Sequence, residues 1–144
     1  LDPYKPLVSD KKPVVIEAFQ MLCPGCVSHG LPQVQRVRRI FGEEEVAVLG
    51  LHTVFEHHAA MTPVALEAFL HEYRIAFPVA VDRAGPAGDP IPQTMRAYAL
   101  QGTPTLCLID ARGHLRHRHF GQANDLAIGA QIAWLMAEAD APGA

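Results

Sequence analysis

Two cysteines three positions apart, in Cys23-Pro24-Gly25-Cys26, are the side chains of this sequence best suited to do chemistry. Helical spacing sets such Cβ atoms about 5 to 6 Å apart, and a small backbone adjustment closes a disulfide. At the first turn of a helix the outer thiol meets unpaired backbone N–H groups and a partial positive charge, and both favour a thiolate. Pro24 presets a helical φ, and Gly25 keeps bulk away from the sulfurs. Cys23, at the outer end, is therefore the expected nucleophile. Cys26, a turn further in, is the expected resolving thiol, which attacks a mixed disulfide and releases the reduced substrate. Zinc is the competing use of paired thiols, but one pair supplies only two of the four ligands of a tetrahedral site. The third thiol, Cys107, lies between Leu106 and Leu108 and reads as a small core hydrophobe. No metal and no cofactor is implied.

The pair must sit where a strand hands over to a helix, and the sequence provides that junction. Pro13 to Phe19 is apolar on both faces except at Glu17, as expected of a strand covered by helices on each side. Pro24 to Phe41 follows with apolar residues at Val27, Leu31, Val34, Val37 and Phe41, a helical stripe in which Pro32 predicts a kink. Glu45 to Val54 reads as a second strand. Thr62 and Pro63 start a helix whose stripe is Val64, Leu66, Phe69, Leu70 and Tyr73. Phe77 to Val81 is a third strand, Asp82 to Pro92 a loop, and Gln93 to Leu100 a short helix. Thr105 to Asp110 and a strand ending at Phe120 form a hairpin turned at Asp110-Ala111-Arg112-Gly113. Asn124 or Asp125 caps a last helix that turns Leu126, Ile128, Ile132, Leu135 and Met136 inward. The order is that of an α/β domain, parallel where strands alternate with helices and antiparallel at the hairpin edge. Residues 1–12 read as an N-terminal arm, and with no linker the chain reads as one domain, 1–144.

Composition narrows the function. Hydrophobic residues are 49% and charged residues 19% of 144, enough apolar material for a folded core. A net charge of −3 leaves no electrostatic footprint for nucleic acid, and Arg36, Arg38 and Arg39 read as a solvated helix face. No apolar run is long enough to span a membrane. Of eight histidines, His52, His57 and His58 cluster around the end of the second strand, where α/β sheets place ligands, and they read either as solvated surface residues or as a contact for a substrate or partner. His117 and His119 share a face of the hairpin strand and read, like most of the rest, as solvated.

Glu17 stands apart. It lies six residues before Cys23 on the strand face of Val15 and Phe19, and a carboxyl buried there would have a raised pKa. Such a group could take the proton of Cys26 as it attacks. The alternative is a strand-end glutamate whose carboxylate reaches solvent.

Val14-Val15-Ile16-Glu17-Ala18-Phe19 followed by the Cys pair, then Gly102-Thr103-Pro104-Thr105 before a strand and the Asp110 to Gly113 turn, resembles the thioredoxin superfamily over about residues 13–138. The extra helix and strand at about 62–81 resemble its TlpA-like and redoxin branches. The resemblance implies a thioredoxin-like fold with a mixed central sheet flanked by helices. It further implies a cis-proline at Pro104 beside the pair, and a substrate chain bound along Thr103 and Pro104 and over Pro24 and Gly25. Glu17 matches the buried acid of thioredoxins. The implied activity is thiol-disulfide exchange with a protein or low-molecular-weight substrate, renewed by a reducing partner; a monomer is the expected state. Leu22 replaces the aromatic residue that thioredoxins place before the first Cys, and Pro24-Gly25 inverts their Gly-Pro.

Pro24-Gly25-Cys26 with Gly30-Leu31-Pro32 is also similar to the peroxidatic loop of peroxiredoxins. In that alternative Cys26 attacks a peroxide, passes through a sulfenic acid and is resolved by Cys23. A non-catalytic metal- or partner-binding module on the same fold is a third reading. An unpaired Cys107, with no leader visible, points to the cytoplasm; an exported protein whose leader has been removed is the alternative.

Overall fold

Val14–Phe19 form β1, a strand buried at all six positions and the centre of the molecule. It lies third in a five-stranded sheet with β2 (Ala47–His52), β3 (Val79–Val81), β4 (Thr105–Ile109) and β5 (Leu115–Phe120), in the order β3-β2-β1-β4-β5. This is a computed structural model and it describes residues 11–141, so most of the expected N-terminal arm, residues 1–10, lies outside the described residues. β1, β2 and β3 run parallel, as the β-α-β order requires. β4 enters antiparallel against β1, and β5 antiparallel against β4, so antiparallel pairing begins beside the central strand and not only at the edge.

Alternation along β1 divides the core. Val15 and Phe19 pack with Cys26, Val34, Val37, Ile128, Ile132 and Leu135, which come from α1 (Leu31–Ile40), the turn that precedes it and α4 (Asp125–Asp140). Val14, Ile16 and Ala18 face the other way, onto Cys107, Ile109, Leu100 and Met95 of α3 (Gln93–Ala97). With helices on both faces, a strand with no polar face is what burial demands.

The expected kink at Pro32 takes a specific form. Cys26–Gly30 is a π-helical turn that runs directly into α1, and the Leu31 N–H bonds to the Cys26 carbonyl five residues back. A proline at position 32 donates no N–H, and its ring would strike the carbonyl four residues earlier in a regular α-helix. Widening the preceding turn relieves both problems.

Two outer helices depart from the sequence-based expectation. In α2 (Pro63–Glu72) the Thr62 hydroxyl caps the Ala65 N–H, but only Leu66 of the stripe is fully buried, and Val64 and Tyr73 are exposed. This helix packs at the margin, beside a strand of only three residues. In α4, capped by Asn124, Ile128, Ile132 and Leu135 are buried while Leu126 is 85% exposed. The helix is apolar on most sides, so periodicity does not single out the buried stripe. No described helix is long and apolar enough to cross a membrane.

Candidate active site

β1 ends at Phe19, and three residues, Gln20 to Leu22, turn the chain toward the helix that carries both cysteines. The turn closes through a hydrogen bond from the Cys23 N–H to the Gln20 carbonyl, 3.1 Å. The helix starts on Cys23, whose carbonyl accepts from the N–H groups of Cys26 and Val27, both at 3.1 Å. The same Cys26 N–H also lies 3.2 Å from the Cys23 sulfur, so one donor of the first turn is shared between the Cys23 carbonyl and the outer thiol. All three cysteines are free thiols: Cys23 is half-buried, and Cys26 and Cys107 are buried.

The loop before β4 closes over the pair. The Cys23 thiol donates to the Thr103 carbonyl at 3.6 Å, and the Thr103–Pro104 peptide bond is cis. A Cβ on Gly25 would sit 3.3 Å from Pro104 Cδ, so a side chain at this position would crowd the proline ring. Thr103, Pro104 and Gly25 are thus brought together at the thiols, with Pro24 exposed beside them. Burial pushes the Cys26 thiol pKa far up, and its hydrogen bond with Cys23 adds to the rise. Contacts with the Gln20 backbone and the Thr103 side chain pull the other way without reversing it.

Glu17 is fully buried, which excludes a carboxylate reaching solvent. Its Oε1 has no hydrogen-bond partner. Burial raises its pKa well above the usual carboxylate range, and the charge of Cys23 adds to that. The carboxyl reaches this position because residue 30 is glycine. A Cβ there would overlap Glu17 Oε1 and lie 2.9 Å from Pro104 Cβ, so Glu17, the π-helical turn and the proline meet at one point.

The histidine cluster separates. His57 and His58 are exposed, and His58 Nε2 lies 3.0 Å from the Pro90 carbonyl. His52 is buried, and its Nε2 accepts from the Met21 N–H at 3.2 Å. Burial brings its pKa down to about 4. Gln20 is also buried, and its side-chain oxygen accepts from the Phe55 N–H at 3.1 Å. Neither residue's tie to the Cys23 turn is visible in the sequence, since both ties join segments more than thirty positions apart. His117 and His119 are half-buried: their rings stack 6.1 Å apart, and His119 bonds to Gln131 of α4 at 2.7 Å. Arg36 likewise is tied down, pairing with Asp125 at 3.0 Å. Among the described residues no three His, Cys, Asp or Glu side chains are grouped to hold a metal ion.

Cys107 lies on the far side of the sheet, and burial raises its pKa to about 12. A thiol so placed is inert in oxidising and reducing surroundings alike, so it carries no information about location. A cavity of about 240 Å³ opens at the carboxyl ends of β2 and β3, lined by Val54, Met61, Val81 and Pro92 among others, and neither Cys23 nor Cys26 borders it.

No family model and no curated protein matches the chain. Among solved structures it is similar to a thioredoxin-like superfamily protein at 62% identity, with a TM-score of 0.85 over 88% of this chain and 80% of that one. A thiol-disulfide isomerase from Corynebacterium glutamicum matches at 50% identity, with a TM-score of 0.85 over 88% and 82% of the two chains. A thioredoxin-like protein in the oxidized form, at 22% identity and TM-score 0.71 over 92% and 82%, shares the fold.

Proposed function

This chain belongs to the thioredoxin superfamily as a thioredoxin-like thiol-disulfide oxidoreductase, and we propose that it works through Cys23 as nucleophile, Cys26 as resolving thiol and Glu17 as proton acceptor. The observation that carries the assignment is the asymmetry of the pair. Cys23 is accessible and its sulfur receives a helix N–H at 3.2 Å, whereas Cys26 is buried behind it with a thiol that holds its proton.

The Cys23 thiolate attacks one sulfur of a substrate disulfide, forms a mixed disulfide and expels the other sulfur as a thiolate. Cys26 then gives up its proton and attacks the Cys23 sulfur. The Cys23–Cys26 disulfide forms, the second substrate sulfur leaves as a thiol, and two electrons have passed to the substrate. Glu17 suits the proton transfer because a carboxyl whose pKa burial has raised is, once ionised, a stronger base than a solvated one. Thr103, Pro104, Pro24 and Gly25 would hold the substrate chain across the sulfurs. The substrate is a protein or low-molecular-weight disulfide, and a reducing partner returns the pair to the dithiol; as an oxidised protein the same pair runs in reverse in an oxidising compartment.

The geometry gives no support to the peroxidase alternative, which needs a peroxide to reach an ionised Cys26. Two assays separate the readings. Cys23→Ser is expected to abolish reduction of insulin disulfides, with negligible hydrogen peroxide turnover by the unaltered protein. Rapid peroxide consumption that depends on Cys26 alone would overturn the assignment.

A further inference from the structure

We infer that His52 is a positioning residue for the nucleophile, holding the turn that delivers Cys23 through a hydrogen bond accepted from the Met21 N–H; this rests on the reading of Cys23 as the attacking thiol. Phe19, the last residue of β1, is in register with His52, the last residue of β2, so the chain leaves the sheet at Gln20 directly beside the imidazole. Two side chains then tie the departing turn to the second strand and to the segment that follows it. His52 Nε2 accepts from the Met21 N–H at 3.2 Å, and Gln20 Oε1 accepts from the Phe55 N–H at 3.1 Å. The backbone adds the Thr53 N–H to the Phe19 carbonyl, 3.0 Å.

Between Met21 and Cys23 there is one residue, Leu22, and its side chain is 56% exposed and anchors nothing inside. The orientation of Cys23 is therefore set on its N-terminal side by what holds Met21 and by its own bond to Gln20, and on its C-terminal side by the helix N–H groups its carbonyl accepts. The two contacts that present the sulfur, 3.2 Å to the Cys26 N–H and 3.6 Å to the Thr103 carbonyl, depend on it.

The imidazole is suited to this task. It is fully buried, with its ring 5.2 Å from that of Phe19, so it has one place to sit. An N–H can donate only to an unprotonated ring nitrogen, which fixes Nε2 as the bare nitrogen and Nδ1 as the protonated one. Burial keeps the ring in that neutral form across the neutral range, so the acceptor is always present. An aliphatic residue would fill the space and leave the Met21 N–H without its acceptor. The turn would then rotate toward another partner, and small misplacements of a reacting atom are costly.

The test measures alkylation of Cys23 by iodoacetamide in a Cys26→Ser background, where Cys107 is shielded. His52→Leu is expected to slow alkylation about tenfold, and His52→Gln, whose amide oxygen can accept the same N–H, to return it to within about threefold of the parent. Equal rates in all three would overturn the proposal. Should His52→Leu fail to fold, the unaltered protein decides: nitrogen NMR is expected to show the Nδ1–H tautomer between about pH 5 and pH 8 and a slowly exchanging Met21 amide, and a protonated Nε2 or a freely exchanging amide would overturn it. A parent Cys23 that alkylates no faster than a free cysteine would instead remove the nucleophile reading, a different result from any His52 effect.

Discussion

Cys26 and Cys107 lie on opposite faces of the same sheet, both buried and both with pKa values pushed up by burial, yet only one sits in a site. Around Cys26 are Cys23, the Thr103 side chain and the Gln20 backbone, with Glu17 projecting from the same face of β1. Cys107 packs among Ile16, Ile109, Met95 and Leu100. Burial alone makes a thiol inert. What turns one into a reactant is a second thiol beside it, polar groups that favour its anion, and a base for its proton. The face of β1 toward Cys26 offers the second thiol and, in the proposed mechanism, the base; on the opposite face Cys107 has no second thiol beside it, and the pull of Arg118 toward its anion is outweighed by burial.

The sharpest way to break that contrast is to remove each buried thiol in turn. Cys26→Ser is expected to drop multiple-turnover insulin reduction to background, while Cys107→Ala keeps the rate within about twofold and costs about 1 kcal/mol of stability through the small cavity it leaves. Urea titrations and turnover assays on both variants check this, and comparable losses of activity would dissolve the distinction between the two faces.

Glu17 sharpens the contrast from the base side. Glu17→Gln is expected to slow the resolving step near neutral pH by tens-fold, read as single-turnover formation of the Cys23–Cys26 disulfide. The same variant tests burial of the carboxyl. A group whose folded pKa is raised binds its proton more tightly when folded, so its contribution to stability is complete below the ordinary carboxylate pKa and is lost as pH rises through the folded value. Denaturation over a pH series is therefore expected to show the parent weakening from about pH 4.5 upward, a slope absent in Glu17→Gln. His52 adds an opposing slope in both proteins: with its folded pKa lowered to about 4, stability falls as pH drops from about 6.5 toward that value. A parent with no decline on the rising side would mean that the Glu17 carboxyl is not buried as described.

Much of this was legible in the sequence because it is local. The Cys pair, its strand-to-helix junction, a lone acid in an apolar strand and the Thr62 and Asn124 caps all follow from neighbours within a few residues. Pro32 announced an irregular helix, but its form, a π-helical turn that brings Gly30 against Glu17 and Pro104, needed the packed structure, since only there does the missing Cβ have a purpose. The exposure of Leu126, Val64 and Tyr73 was not legible: α4 is apolar on most sides and α2 packs at the margin of the sheet. The His52 contact depends on strand register, which no spacing in the sequence reveals.

The division of labour within the pair is the central claim, and trapping tests it most directly. Incubating Cys26→Ser and Cys23→Ser with a disulfide-bonded protein, followed by mass spectrometry of the linked peptides, is expected to find a stable mixed disulfide at Cys23 in the first variant and none in the second. A mixed disulfide at Cys26 in Cys23→Ser, with Cys23 left unmodified in Cys26→Ser, would reverse the roles and contradict the account.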